Sequence, residues 1–440
     1  MAGLTVSPGV AVHVRALKEV ASVTSLKVAL TFLGAGLQLL IARILGPEEF
    51  GKYASVIAFV SPLAAVSTVG FQQTVLRFSS LLRANGHRRG IIDLMMVATV
   101  ATCSAGLIFA ALIVLVGTYR GPTRDLSALL IGSTLIPLGG LSLLLGSLLR
   151  AVELPLAAML PEPLCRSIGL ALVLAGWAGG LLHLDSMYVL LATVSSLLVA
   201  VSWSSWRART AISAIPQRTG NSVFNTELVR ATGYAFLLLI ANVIATRTIA
   251  ALLASVLPPQ EFAAYAVATR LADLLAVPTW GATLLVAPRF ASLSAGEAPY
   301  LVTDLLRQSR RTATVLSTIP ILLTLGFAEP LLGVVGPSYT AAAPVLRILA
   351  LKVLILALIG PTLAVLTMCG AERTAALLMT VFGVLAVAST SILAVHWGGI
   401  GGALGQSAVE IAVAVSCLHL LTRRFSRWPK AVQQASGEIR

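Results

Sequence analysis

Charge is what this 440-residue chain has least of: only 11% of its residues are Asp, Glu, Lys or Arg. Ordinary soluble domains carry about a quarter. With 57% hydrophobic residues and a mean hydropathy of +0.93, the composition excludes a disordered chain, a fibrous protein and a soluble enzyme. It predicts an all-α, polytopic membrane protein. Cysteine is also scarce. Cys103, Cys165, Cys369 and Cys417 all lie in or beside apolar stretches with no CxxC spacing, so they read as small buried residues rather than a disulfide or metal set. The five histidines have no metal-ligand spacing, and no glycine-rich GxxxxGK run is present, so neither a metal centre nor ATP hydrolysis is expected. No cofactor of any kind is expected. The N-terminus lacks the layout of a cleavable signal, and the apolar run after Lys18 reads as a first span that is retained.

Apolar sequence is abundant. A helix needs about 20 mostly apolar residues to cross the hydrocarbon. Twelve such stretches occur, at about 19–43, 53–76, 91–117, 126–149, 156–180, 184–206, 230–256, 263–288, 313–335, 345–367, 374–396 and 400–422. Connections between them are short. The longest on the outer side, around 118–125, cannot hold the catalytic loop that a membrane polysaccharide polymerase or ligase needs.

Basic residues outnumber acidic ones, 31 to 17. In a soluble protein such an excess suggests nucleic acid. Here it tracks topology. With the N-terminus placed inside, twenty-one Lys and Arg fall on the cytoplasmic side, and only Lys52, Arg120 and Arg124 fall outside. That bias predicts that both termini are cytoplasmic, and it leaves no excess for a nucleic-acid partner.

The chain repeats itself. Leu45-Gly-Pro-Glu-Glu-Phe-Gly-Lys-Tyr-Ala54 returns 212 residues later as Leu257-Pro-Pro-Gln-Glu-Phe-Ala-Ala-Tyr-Ala266. The match runs without a gap to Leu81 and Leu293, with 12 of 37 positions identical, including Pro, Glu, Phe, Tyr and Arg. Both copies lie between an odd and an even span. Two six-helix halves in the same orientation follow, an architecture found in transporters, with the substrate path between them. The expected divisions are an N-terminal bundle at 1–206, a cytoplasmic linker at 207–229, a C-terminal bundle at 230–422 and a basic tail at 423–440. Locally, Gly46 and Pro47 end one helix and Glu48 and Glu49 start the next, which reads as a tight helical hairpin.

Charges within the spans are few, and each costs a few kcal/mol on insertion scales unless it faces a cavity or a partner. The candidates are Lys27, Arg166, Arg247, Arg270 and Lys352, with the acids Glu162, Asp273 and Glu410. Glu162 and Arg166 lie four apart, and Arg270 and Asp273 three apart, spacings that place each set on one helix face. Each set reads equally as a neutralised structural pair or as part of a site. The remainder is cationic, which suits a phosphate-bearing substrate better than a cationic drug. Pro62, Pro137, Pro161, Pro163, Pro278, Pro320, Pro330 and Pro361 lie within spans, as do Gly139-Gly140 and Gly179-Gly180, and each reads as a hinge or a static kink.

A set of ordered motifs resembles the polysaccharide biosynthesis flippases, the O-antigen and exopolysaccharide branch of the multidrug/oligosaccharidyl-lipid/polysaccharide exporter superfamily. These are Ala42-Arg-Ile-Leu-Gly-Pro-Glu-Glu-Phe-Gly-Lys-Tyr53, Gly70-Phe71 with Arg77-Phe78, Gly336-Pro-Ser-Tyr339 leading to Ala343-Pro-Val-Leu-Arg-Ile-Leu-Ala350, Gly370-Ala-Glu-Arg373, and Gly398-Gly-Ile-Gly-Gly-Ala403. The resemblance spans nearly the whole chain. It implies two six-helix bundles around a central cavity. It also implies movement of an undecaprenyl-pyrophosphate-linked oligosaccharide across the bacterial inner membrane, in the service of polysaccharide polymerase or export machinery. Relatives often carry an acid in the seventh span, near Thr248 and Ile249; this chain has Arg247 and no acid there. H+ coupling, Na+ coupling, membrane potential and product removal all remain open as driving forces. The competing readings are a drug/cation antiporter of the same superfamily and a membrane polymerase or ligase.

Overall fold

The computed structural model describes residues 8–119, 126–180, 184–217, 226–294, 299–368 and 371–426. Within these, the side chains of 8–25, 27, 117–119, 226–227, 231, 238, 241, 245–246, 282–294, 299–303, 368, 372 and 424–426 lie outside the description. The outer connection at 120–125, most of the linker and most of the tail are therefore outside it, as are the side chains of Lys27, Arg289 and Glu372.

Sixteen α-helices make up the described chain. They are α1 (Pro8–Val66), α2 (Phe71–Ala84), α3 (Arg88–Tyr119), α4 (Leu126–Ser133), α5 (Leu135–Ala151), α6 (Pro155–Met159), α7 (Pro161–Ala178) and α8 (Ser186–Ser213), followed by α9 (Thr226–Thr246), α10 (Thr248–Val256), α11 (Pro259–Ser294), α12 (Pro299–Gly326), α13 (Ala328–Val335), α14 (Ala343–Ile359), α15 (Thr362–Met368) and α16 (Glu372–Ser426). No β-strand occurs among the described residues.

Each of the twelve apolar stretches is mostly helical, but many are interrupted. Six described helical stretches are long and apolar enough to cross a membrane, or eight if two bent pairs each count as one span. The bends are 43° between α9 and α10, at Arg247, and 80° between α12 and α13, at Phe327. The two longest helices are folded rather than straight. In α1, Gly46 leaves helical geometry at φ 76°, and Pro47 lacks the N–H that would continue the ladder. Gln38 and Ser61 then line one cavity, which a straight rod would forbid. In α16, Trp397 and Gly398 break the helix. Gly401 then lies against Leu393 and Gly405 against Thr390, so the two limbs run antiparallel with glycine at the closest approaches.

The proline expectation divides. Pro161 starts α7 after a break at Leu160, and Pro361 separates α14 from α15 beside Gly360 at φ 85°. Pro330 sits in the first turn of α13. Pro62 and Pro320 lie inside continuous helix. Gly139 and Gly140 do not break their helix. They lie inside α5, where an added Cβ would meet Ala64 and Ser67, so they permit close packing on α1.

Large apolar side chains point outward as readily as inward. On α3, Met96, Val100, Leu107, Ile108, Leu112 and Leu115 are all exposed. That pattern needs apolar surroundings rather than water. The largest buried cluster joins the two repeats: Ile41, Phe50 and Tyr53 pack with Leu253, Phe262, Tyr265 and Tyr339. A second cluster, around Val75, Ile91, Leu94, Leu144 and Leu148, lies chiefly within α2–α8. The most extensive helix contact in the molecule is α1 on α11, the two copies of the repeat.

Candidate functional site

The repeat acts first as a brace. Glu49 accepts hydrogen bonds from the Ser186 N–H at 3.2 Å and the Ser186 hydroxyl at 2.7 Å, at the start of α8. Its repeat partner Glu261 accepts from the Gly399 N–H at 2.8 Å, where the second limb of α16 begins. Each acid thus satisfies an orphan donor at a helix start, where negative charge is favoured. The hairpin expected from sequence is also a tie between distant helices.

Below these braces, the two copies face each other. A cavity of about 330 Å³ is lined by Phe50, Tyr53, Ala54, Ile57, Ala58 and Ser61 on α1, and by Phe262, Tyr265, Ala266, Thr269, Arg270 and Asp273 on α11. Every residue of the second set is the 212-offset partner of one in the first. The lining is therefore two related helix faces in the same register. Only the second face carries charge: Ala58 and Ser61 correspond to Arg270 and Asp273. Gln38, Arg166, Arg247 and Gln406 complete the polar wall. A second cavity, of about 250 Å³, shares Gln38, Arg166, Arg270 and Asp273 with the first and extends to Glu162, Leu274 and Trp280.

The structure gathers most of the expected charges here, though not in the expected pairs. Arg166 does not form a salt bridge with Glu162. Its guanidinium donates to the Tyr53 hydroxyl at 3.2 Å, and Glu162 instead accepts from the Ser142 hydroxyl at 3.2 Å. The Nε of Arg166 is enclosed and has no hydrogen-bond partner. Arg270 and Asp273 do pair, at 3.6 Å. Arg247 donates to the Ser61 hydroxyl at 3.2 Å, bridging the α9–α10 bend to α1. Lys352 and Glu410 lie off the cavity wall and pair with each other at 3.2 Å. Gln406 links that pair to the cavity: its amide N–H donates to Glu410 at 2.7 Å, and its carbonyl accepts from the Tyr265 hydroxyl at 2.9 Å. Lys27 lies outside the described side chains.

Sequence reasoning missed Tyr53, Tyr265, Gln38 and Gln406 as lining residues. The repeat itself was the available signal, because it conserves the two tyrosines within this chain. The described charged lining is Arg166, Arg247 and Arg270 against Glu162 and Asp273, a net positive wall. No group of three His, Cys, Asp or Glu suited to a metal ion occurs among the described residues.

Comparison with solved structures places this architecture. The chain superposes on an inward-facing multidrug resistance MATE family transporter of the MOP superfamily, with a TM-score of 0.66 and 16% identity, over 93% of this chain and 96% of that one. It superposes on the lipid II flippase MurJ in an inward closed conformation with a TM-score of 0.67 and 15% identity, over 92% of this chain and 87% of that one. A MOP superfamily transporter from Pyrococcus furiosus, described as having a binding pocket of reverse polarity, gives 0.63 and 13%, over 93% and 95%. At these identities the likeness is one of fold. No curated protein sequence matches the chain. A family model described as polysaccharide biosynthesis protein matches residues 16–294, including both copies of the repeat and most of the cavity wall. The chain, a multi-pass membrane protein with the fold of MOP superfamily transporters and flippases, belongs to the polysaccharide biosynthesis protein family.

Proposed function

We propose that this protein flips an undecaprenyl-pyrophosphate-linked oligosaccharide across the bacterial inner membrane, with both termini in the cytoplasm. Substrate enters from the cytoplasmic leaflet, and the two halves rock around the central cavity. The observation that supports this reading best is Arg166. It stands near Arg270 on the wall common to both cavities, so two guanidiniums from different helices meet there. Two guanidiniums on one cavity wall form a strong site for phosphate oxygens. The net positive lining argues against a cationic drug as cargo, which is the prediction of the antiporter reading.

The test is genetic complementation with Arg166→Ala, Arg247→Ala and Arg270→Ala. Each variant is expected to reach the membrane at normal levels, to lose export, and to accumulate lipid-linked repeat units on the cytoplasmic face. Normal export by all three would sink the cationic-cavity mechanism. Accumulation of single units on the outer face would favour a polymerase, and drug resistance conferred on a sensitised strain would favour the antiporter.

A further inference from the structure

Asp273 stands where an anionic substrate must compete with it. Its carboxylate lies on the shared wall of both cavities, 3.6 Å from the Arg270 guanidinium. Around it, α11 itself contributes Arg270 and Tyr265, α14 contributes Lys352, and α16 contributes Glu410. From α7, Arg166 lies within electrostatic reach of Arg270 and Glu162 lines the second cavity, hydrogen-bonded to Ser142, while Arg247 lines the first from the α9–α10 bend. The α1 face supplies Gln38 and Tyr53, and α10 and α15 carry no titratable residue. The charged residues of α12, Asp304, Arg307, Arg310 and Arg311, line neither cavity.

The two acids of this cluster are not equivalent. Glu410 has Lys352 at 3.2 Å and an amide donor from Gln406 at 2.7 Å, both off the cavity wall, so an arriving anion leaves its partners in place. Asp273 has only the longer contact to Arg270 as its ion pair, and Arg270 is one of the three guanidiniums, with Arg166 and Arg247, that face the cavity. A phosphate that engages Arg166 and Arg270 takes that partner. It also places negative charge beside a carboxylate whose 41% exposure is lost once a headgroup fills the cavity. Two anions so close in low dielectric cannot both stay ionised without a large cost. The repeat isolates the feature, since the equivalent position on α1 is Ser61, which cannot titrate.

We propose that Asp273 is a substrate-linked proton site: when a pyrophosphate binds Arg166 and Arg270, the Asp273 carboxylate takes up a proton from solvent and becomes a neutral acid. This rests on the pyrophosphate reading above. Bound headgroup and proton then travel as one unit.

The experiment is calorimetric titration of undecaprenyl pyrophosphate into the full-length protein in lipid nanodiscs, at one pH, in two buffers of different ionisation heat. Wild type is expected to give a buffer-dependent heat. Its affinity should also fall with rising pH, by up to about tenfold per unit relative to Asp273→Asn. The lipid's own phosphate titration is common to both proteins and cancels in that comparison. Asp273→Asn should bind with a smaller buffer dependence, that of the lipid's own phosphate alone. Asp273→Ser, which installs the residue already used at position 61, should behave the same way and guards against misfolding of the first variant. Glu410→Gln should keep the buffer dependence. Saturable binding to wild type with no buffer dependence overturns the proton site and leaves the pyrophosphate reading intact. No binding by wild type overturns both. Buffer dependence as large in both Asp273 variants as in wild type places the proton elsewhere and overturns the assignment.

Discussion

Lys352 on α14 and Glu410 on α16 hold each other at 3.2 Å, and neither has a charged neighbour one helical turn away in sequence. Lys352 is 13% exposed and Glu410 36%. Breaking a fully buried pair costs about 3–5 kcal/mol, because the survivor is left charged and alone. The partial exposure of Glu410 lowers that figure, so Lys352→Met is expected to destabilise the protein by about 1–3 kcal/mol. The double variant Lys352→Met/Glu410→Gln should recover most of the loss, since it leaves no unpaired charge. Thermal melts of the purified proteins in one detergent check this. A double variant as unstable as the single one would show that the pair is not what holds α14 to α16.

Tyr339 reports on contact between the halves. It is buried, and its hydroxyl donates to the Ala42 carbonyl at 2.8 Å, joining the segment before α14 to the first limb of α1. Tyr339→Phe removes one hydrogen bond and leaves a buried carbonyl unsatisfied, at a cost of about 1–2 kcal/mol. If the halves part on this face during transport, the open population should rise by about tenfold, since 1.4 kcal/mol is a factor of ten. In a cysteine-free background, Ala58→Cys in the cavity should label correspondingly faster with a membrane-impermeant thiol reagent. An unchanged labelling rate would mean that this face does not open there.

Gly51 is where the two copies of the repeat touch most closely. An added Cβ would run into the Pro259 carbonyl, so α1 and α11 cannot keep their present distance once a side chain is present. Gly51→Ala is expected to cost about 1–3 kcal/mol as an overpacking change. Ala263, the repeat partner of Gly51, tolerates its methyl, which shows that the requirement belongs to this contact and not to the motif. A Gly51→Ala protein with the wild-type melting temperature would contradict the close approach.

The two braces should differ in strength. The start of α8 has a second carboxylate, because Asp185 accepts from the Met187 and Tyr188 N–H groups at 3.0 and 3.1 Å. Loss of Glu49 therefore leaves that helix capped. The second limb of α16 shows no such side-chain cap beside Glu261. Glu261→Ala is expected to cost about 1–2 kcal/mol and Glu49→Ala about half as much, within the usual range for lost N-caps. Equal losses on thermal denaturation would show that Asp185 does not share the load.

Some of this was legible in the chain itself. Helices, membrane residence and an internal repeat follow from apolar runs and a gapless match, because both are one-dimensional patterns. The Arg270–Asp273 pair was legible for the same reason: three residues apart on a helix is a fixed spatial relation. The same reasoning failed for Glu162 and Arg166. Their spacing permits a pair, but Tyr53 and Ser142 arrive from other helices and offer each a better-placed partner. Gly139 and Gly140 read as weak points in a helix, yet they serve close packing, which depends on the neighbour that α1 supplies.

Sequence alone therefore determined the solvent this protein lives in, its helical class, its repeat and the short inventory of charges that must be explained. Those follow from composition and period, which need no knowledge of what lies nearby. Only the tertiary structure decided how the charges are used. It set Arg166 against Tyr53 on the cavity wall, left Asp273 dependent on Arg270, and withdrew Lys352 and Glu410 behind Gln406. The physical reason is that a charge in low dielectric takes its meaning from the groups within a few ångströms of it, and in a folded chain most of those come from other helices.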